Sequence, residues 1–141
     1  MKIYYIFNIK KELYDIYDDT PSVLYNFFYN LYINNKYDLN YVNSVFRQIT
    51  NKYNKELLDL KIYLKMHNKM RYLKRKDEHI INDLWKNEIS IMKIKKSYIV
   101  INSNNDYSEF FDILKKYYKG CLVCDFNNQK YFYLRNIKML V

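Results

Sequence analysis

Between Asp106 and Leu134 the chain reads DYSEFFDILKKYYKGCLVCDFNNQKYFYL, and few arrangements satisfy this stretch. Asp106 is a candidate helix cap, with Glu109 three residues on to answer it. Phe110, Ile113, Leu114 and Tyr117 then form one apolar stripe at helical spacing. Lys115, Lys116 and Lys119 are expected in the last turn, where the helix dipole favours cations. Gly120, the single glycine of the chain, stands where a left-handed residue ends a helix. Cys121 to Phe126 is nearly all apolar and reads as a strand. Asn127-Asn128 can take the positive φ of a two-residue hairpin turn. The resulting register sets Asp125 opposite Lys130, Val123 opposite Phe132 and Leu122 opposite Tyr133, which matches charge with charge and apolar with aromatic.

The rest of the chain is arranged around this unit. Ile3 to Asn8 predicts a first strand, rich in aromatic and β-branched residues. Lys10 to Tyr17 has helical spacing, with Ile9 and Ile16 on one line and Leu13, Tyr14 and Tyr17 on the next. Thr20-Pro21 predicts a second helix: a hydroxyl cap, then proline at the first helical position. Its apolar face is Leu24, Phe27, Phe28, Leu31 and Tyr32, and Asn34-Asn35 ends it. A third helix is predicted from Asp38 to Thr50, with Val42, Val45, Phe46 and Ile49 inward and Tyr41, Ser44 and Gln48 outward. Residues 52–72 fit a helix in their first half and a strand in their second. Asp77 is a candidate cap for a short helix carrying Ile80, Ile81, Leu84 and Trp85. Ile89–Ile94 and Tyr98–Asn102 predict a strand pair, joined near Lys95-Lys96 by more than two residues. There is no internal repeat or flexible linker. The expectation is one α+β domain over residues 1–141, with a mixed or antiparallel sheet packed with several helices.

Charge restricts the function less than it first suggests. The formal net charge is +9, which suits nucleic acid, an anionic membrane or an acidic protein face. Yet the chain has no alanine and is rich in Lys, Asn, Ile and Tyr, a bias of A/T-rich coding that inflates lysine by itself. The strongest nucleic-acid candidate is the segment Lys65, Lys69, Arg71, Lys74, Arg75 and Lys76, with Tyr72 placed to stack on a base. Against it stand Asp77, Glu78 and the lack of a DNA-reading motif. No apolar run spans a bilayer and the N-terminus lacks signal-peptide character, so a cytoplasmic location is expected.

Motifs for chemistry are sparse. Cys121 and Cys124 have the spacing of a redox pair, but within a strand they point to opposite faces and read as core. His67 and His79 have no partner at metal spacing, and both read as surface residues. One glycine rules out a phosphate-cradling loop. No catalytic residue, metal site or cofactor is expected, although an enzyme built by the fold from distant residues stays open. Leu13 and Tyr17, one turn apart on the first helix, fit either core or a protein-binding face.

The stretches YYIFNIKKELYDIYDDTPSVLYNFF and FFDILKKYYKGCLVCDFNNQKYFYL resemble the sporulation inhibitor of replication family, SirA. The resemblance runs through Tyr4, Tyr5, Phe7, Ile9, Lys10 and Glu12, then Ser22 and Val23. At the other end it runs through Phe110, Phe111, Cys121, Asp125, Phe126, Asn127, Lys130 and Tyr131. It implies a small α/β protein without enzymatic activity or cofactor. The implied partner is the N-terminal domain of the bacterial replication initiator DnaA, which the family binds to block initiation as a cell commits to sporulation. The family's binding pair on the first helix maps to Leu13 and Tyr17, with leucine standing where the family has an aromatic. A further family contact from the next helical region maps to Val45 or Gln48, of which helical phase exposes Gln48, and Lys10, Tyr14 and Gln48 would rim the Leu13–Tyr17 anchor. A monomer is expected, with nucleic-acid binding through Lys65–Lys76 as the alternative.

Overall fold

The computed structural model describes residues 1–33 and 39–137. Seven antiparallel strands form one sheet: β1 (Lys2–Asn8), β2 (Tyr72–Arg75), β3 (Glu78–Asp83), β4 (Glu88–Ile94), β5 (Ile99–Ser103), β6 (Cys121–Asp125) and β7 (Lys130–Tyr133). Their spatial order is β2-β3-β4-β5-β1-β6-β7. The helices are α1 (Lys11–Ile16), α2 (Pro21–Ile33), α3 (Leu39–Ile49), α4 (Lys55–Met66) and α5 (Glu109–Tyr117). This is the α+β class read from the sequence, with the antiparallel sheet as the outcome.

β1 lies between β5 and β6, and its alternation separates two cores. Tyr4 and Ile6 face α4 and α5, while Phe7 faces α2 and α3, as does Ile9 just beyond the strand. Phe7 stacks on Phe28 of α2 with ring centroids 4.0 Å apart. Cys121 and Cys124 of β6 point into opposite cores, as the strand reading requires. Burial pushes the Cys121 thiol up to about 12 and raises Cys124 as well, so neither is a thiolate near neutral pH.

The β6–β7 register is the predicted one, with Asp125 opposite Lys130 and Leu122 opposite Tyr133. The turn differs. It has four residues, 126–129, and Gln129 takes the positive φ of 54°. The buried Asp125 carboxylate accepts from the Asn128 side-chain amide at 2.8 Å, so it organises the turn. Gly120 also differs, since no glycine has positive φ. What it provides is room: a Cβ there would lie 3.2 Å from the Ile9 carbonyl oxygen and 3.4 Å from the Tyr14 ring. The cap of α5 is Ser108 and not Asp106, whose carboxylate pairs with Lys2. Ser108 Oγ accepts from Phe110 N–H at 3.2 Å, and the buried Glu88 carboxylate accepts from Glu109 N–H at 3.1 Å.

Three sequence expectations are corrected between residues 52 and 87. α4 is one continuous helix to Met66, and it keeps no strand in its second half. The predicted helix after Asp77 is β3, paired with β2 through a two-residue turn at Lys76-Asp77. Lys76 adopts φ 53° there without glycine or asparagine, so the turn left no mark in the sequence. Leu84 and Trp85 lie in the exposed turn that follows. The Asn34-Asn35 stop and the Asp38 start lie outside the described residues, as do the side chains of Tyr41 and Val42.

His79 is the third correction, because it is fully buried. Its Nε2 lies 2.7 Å from Asp59 Oδ1 of α4 and its Nδ1 lies 2.7 Å from the Tyr72 hydroxyl. A neutral ring satisfies both, donating to Asp59 and accepting from Tyr72. Burial lowers the His79 pKa, against a raising contribution from the Asp59 hydrogen bond. A depressed histidine keeps its stability contribution above its ordinary value of about 6.5 and loses it as pH falls through that value toward the folded one. We therefore expect urea midpoints of the wild type to fall more steeply than those of His79→Gln between about pH 7 and pH 5. His79→Gln should itself lose about 1–2 kcal/mol at neutral pH from the weakened hydrogen bonds. Parallel pH profiles for the two proteins would refute this account.

Candidate functional site

The α1 region is held by backbone before any side chain is considered. Ile9 N–H donates to the Gly120 carbonyl at 2.9 Å, which ties the entry of α1 to β6. Lys10 N–H donates to the Ile49 carbonyl at 2.9 Å, and Asn51 N–H donates to the Asn8 carbonyl at 2.8 Å, which tie it to the end of α3. At the exit, the Tyr17 carbonyl accepts from the Tyr133 hydroxyl at 2.8 Å. A helix of six residues has little stability of its own, so these tethers fix its position.

Tyr14 faces inward. Its ring meets Tyr133 edge-on with centroids 5.1 Å apart and touches the open side of Gly120. The Arg135 guanidinium lies 4.6 Å over the same ring and pairs with Asp18. Ile16 points to solvent, although it shares a helical line with the buried Ile9. Leu13 and Tyr17 turn the other way, toward α2 and α3.

There they open onto a groove of about 600 Å³. α2 contributes Val23, Leu24 and Phe27, and α3 contributes Val45, Gln48 and Ile49. Lys10 and Glu12 stand at its edge. Leu13, Tyr17, Val45 and Phe27 are half-buried, and Gln48 is exposed. The lining is apolar with a cation, a carboxylate and an amide around it, an arrangement suited to receiving apolar anchors from another protein. Of the residues singled out in the sequence, Leu13, Tyr17, Gln48, Val45 and Lys10 converge here. Tyr14 does not; it braces α1 from behind. Val23 and Phe27 were not read as site residues, because a stripe at helical spacing looks the same whether a helix or a groove lies beneath it.

The competing basic segment loses its stacking residue. Tyr72 is buried and its hydroxyl is held by His79, so it has no free face for a base. Arg71 is occupied by Glu109 through two hydrogen bonds of 2.8 and 2.7 Å. Lys65 and Lys69 sit at the end of α4 and just past it, while Lys74, Arg75 and Lys76 lie on the β2–β3 hairpin, so the run is not one continuous face. Among the described residues, no three His, Cys, Asp or Glu side chains gather as metal ligands. No helix among them is long and apolar enough to cross a membrane.

A family model described as sporulation inhibitor of replication protein SirA matches residues 2–138 of the chain. No curated protein matches it.

Tyr14 and Tyr17 separate the brace from the groove. Tyr14→Ala should lose about 2–3 kcal/mol in urea unfolding, because it empties a site closed by Gly120, Tyr133 and Arg135. Tyr17→Ala should lose about 1 kcal/mol, because its backbone bonds to Leu13, Thr20 and Tyr133 remain. The reverse ranking would make Tyr17 the structural residue.

Proposed function

The chain belongs to the SirA family of sporulation inhibitors of replication, and we propose that it acts by binding the N-terminal domain of the initiator DnaA through the α1–α2–α3 groove. One observation carries this reading: Leu13 of α1, Tyr17 at its end and Gln48 of α3, the positions the family resemblance points to, line one apolar groove although more than thirty residues separate the first two from the third. Leu13 and Tyr17 supply the apolar anchor. Gln48 and Lys10 border it, where polar groups set orientation more than affinity. Inhibition follows by occlusion: an initiator domain held on this groove cannot use the same face to recruit partners or self-associate. The action is regulatory and not enzymatic, it takes place in the cytoplasm, and a monomer suffices for it.

The test is a titration of the purified chain with the N-terminal domain of its own host's DnaA at moderate salt. Tyr17→Ala should weaken binding by about 2 kcal/mol, roughly thirty-fold, with a native circular dichroism spectrum. Gln48→Ala should weaken it by less. A folded wild-type chain that does not bind the domain would remove this partner, and native affinity in Tyr17→Ala would move the surface elsewhere.

A further inference from the structure

Helix α4 is apolar on both sides. Leu58, Ile62 and Met66 are buried against the sheet. Leu57, Leu60 and Leu64 are 46%, 52% and 59% exposed. At helical spacing these three lie directly opposite the buried stripe. Steps of three and four residues are those of a heptad seam, the pattern a second helix packs into. Tyr63 of α4 and Tyr117 of α5 extend the exposed apolar surface.

The border toward α5 is basic. Lys61 and Lys65 come from α4, and Lys116 from the last turn of α5. None of the three forms an ion pair among the described residues. Lys61 Nζ rests 5.5 Å from the Tyr117 ring centroid. Neighbouring Lys116 lowers the Lys65 pKa more than burial does. A border of like charges favours an anionic group beside it. A cleft of about 120 Å³, lined in part by Leu57, Lys61 and Tyr117, indents the same border.

We propose that the outer face of α4 is a second docking surface, and that its occupant is a partner-protein helix with apolar residues at heptad spacing and acidic residues along one flank. The leucines would pack into the partner's seam, the cleft would take one of its side chains, and the lysines would meet its carboxylates. A second copy of this chain fits less well, because it would bring another lysine border and another +9 charge. A bilayer fits less well too, because three leucines in two turns make a narrow stripe for insertion. This surface lies across the sheet from the α1 groove, so both can be occupied together.

The probe is a labelled three-heptad synthetic peptide with leucine at the seam and glutamate at the flanks, titrated at low salt against the full chain. A peptide with lysine flanks serves as control. The glutamate peptide should bind, and Leu60→Asp should weaken it about tenfold with a native circular dichroism spectrum. The pair Lys61→Glu and Lys65→Glu should reverse the preference toward the lysine peptide. Leu60→Asp should leave binding to the DnaA domain unchanged, so that failure here is distinct from failure at the α1 groove. No binding, equal binding of both peptides, or insensitivity to Leu60→Asp would overturn the proposal. So would association with anionic vesicles alone, or a dimer in sedimentation that Leu60→Asp dissolves.

Discussion

The close approach of Ile9 to Gly120 is the contact on which the proposed binding surface depends. The Ile9 N–H donates to the Gly120 carbonyl, and a Cβ at Gly120 would lie 3.2 Å from the Ile9 carbonyl oxygen, so glycine suits the tight approach of the end of β1 to the start of β6. The Tyr14 ring packs against Gly120, and Tyr133 and Arg135 cover it. With Tyr14 seated there, Leu13 and Tyr17 face α2 and α3. A six-residue helix thus obtains a fixed orientation from backbone tethers and one aromatic wedge, since its own hydrogen bonds are too few to give it. Residues far apart in the chain, from Ile9 to Arg135, cooperate to present two side chains.

Local signals recovered much of this fold and missed a definable part. The β6–β7 register, the opposed cysteines, the Thr20-Pro21 helix start and the long β4–β5 connection follow from patterns within a few residues. Gly120 neither caps α5, which closes on Tyr118, nor takes positive φ: its value lies in what packs on it, which only the tertiary contact reveals. The β2–β3 hairpin is hidden in the sequence because adjacent Ile80 and Ile81 suit a helix, and because Lys76 makes its turn without a residue that advertises positive φ. His79 looked like a surface residue because its two partners, Asp59 and Tyr72, come from α4 and β2.

The candidate site was legible in the same uneven way. Helical phase put Leu13 and Tyr17 on a common face and Gln48 outward, and both hold. Phase could not separate Tyr14 from them, because its inward partners Gly120, Tyr133 and Arg135 lie more than a hundred residues away. Nor could it show that Phe27 and Val23 complete the groove, since an apolar stripe carries no information about what stands opposite. The tyrosine that made the basic segment attractive is consumed by the fold, so the surplus of lysine there is not backed by a stacking surface.

The same limit explains α4. Its apolar residues surround the helix, and hydrophobicity alone gives little reason to bury Leu58, Ile62 and Met66 in place of Leu57, Leu60 and Leu64. The polar chain supplies the reason. Lys55 holds Asp59 at 2.7 Å, Asp59 accepts from His79, and His79 accepts from Tyr72. If α4 rolled to bury its other leucines, Asp59 would turn to solvent and a fully buried imidazole N–H would lose its acceptor, at a cost of about 1–3 kcal/mol. Buried polar groups of this kind select one packing among several of similar hydrophobic worth. In this chain the selection leaves a leucine seam facing outward beside lysines that form no ion pair among the described residues, and this is the surface proposed to dock a partner helix.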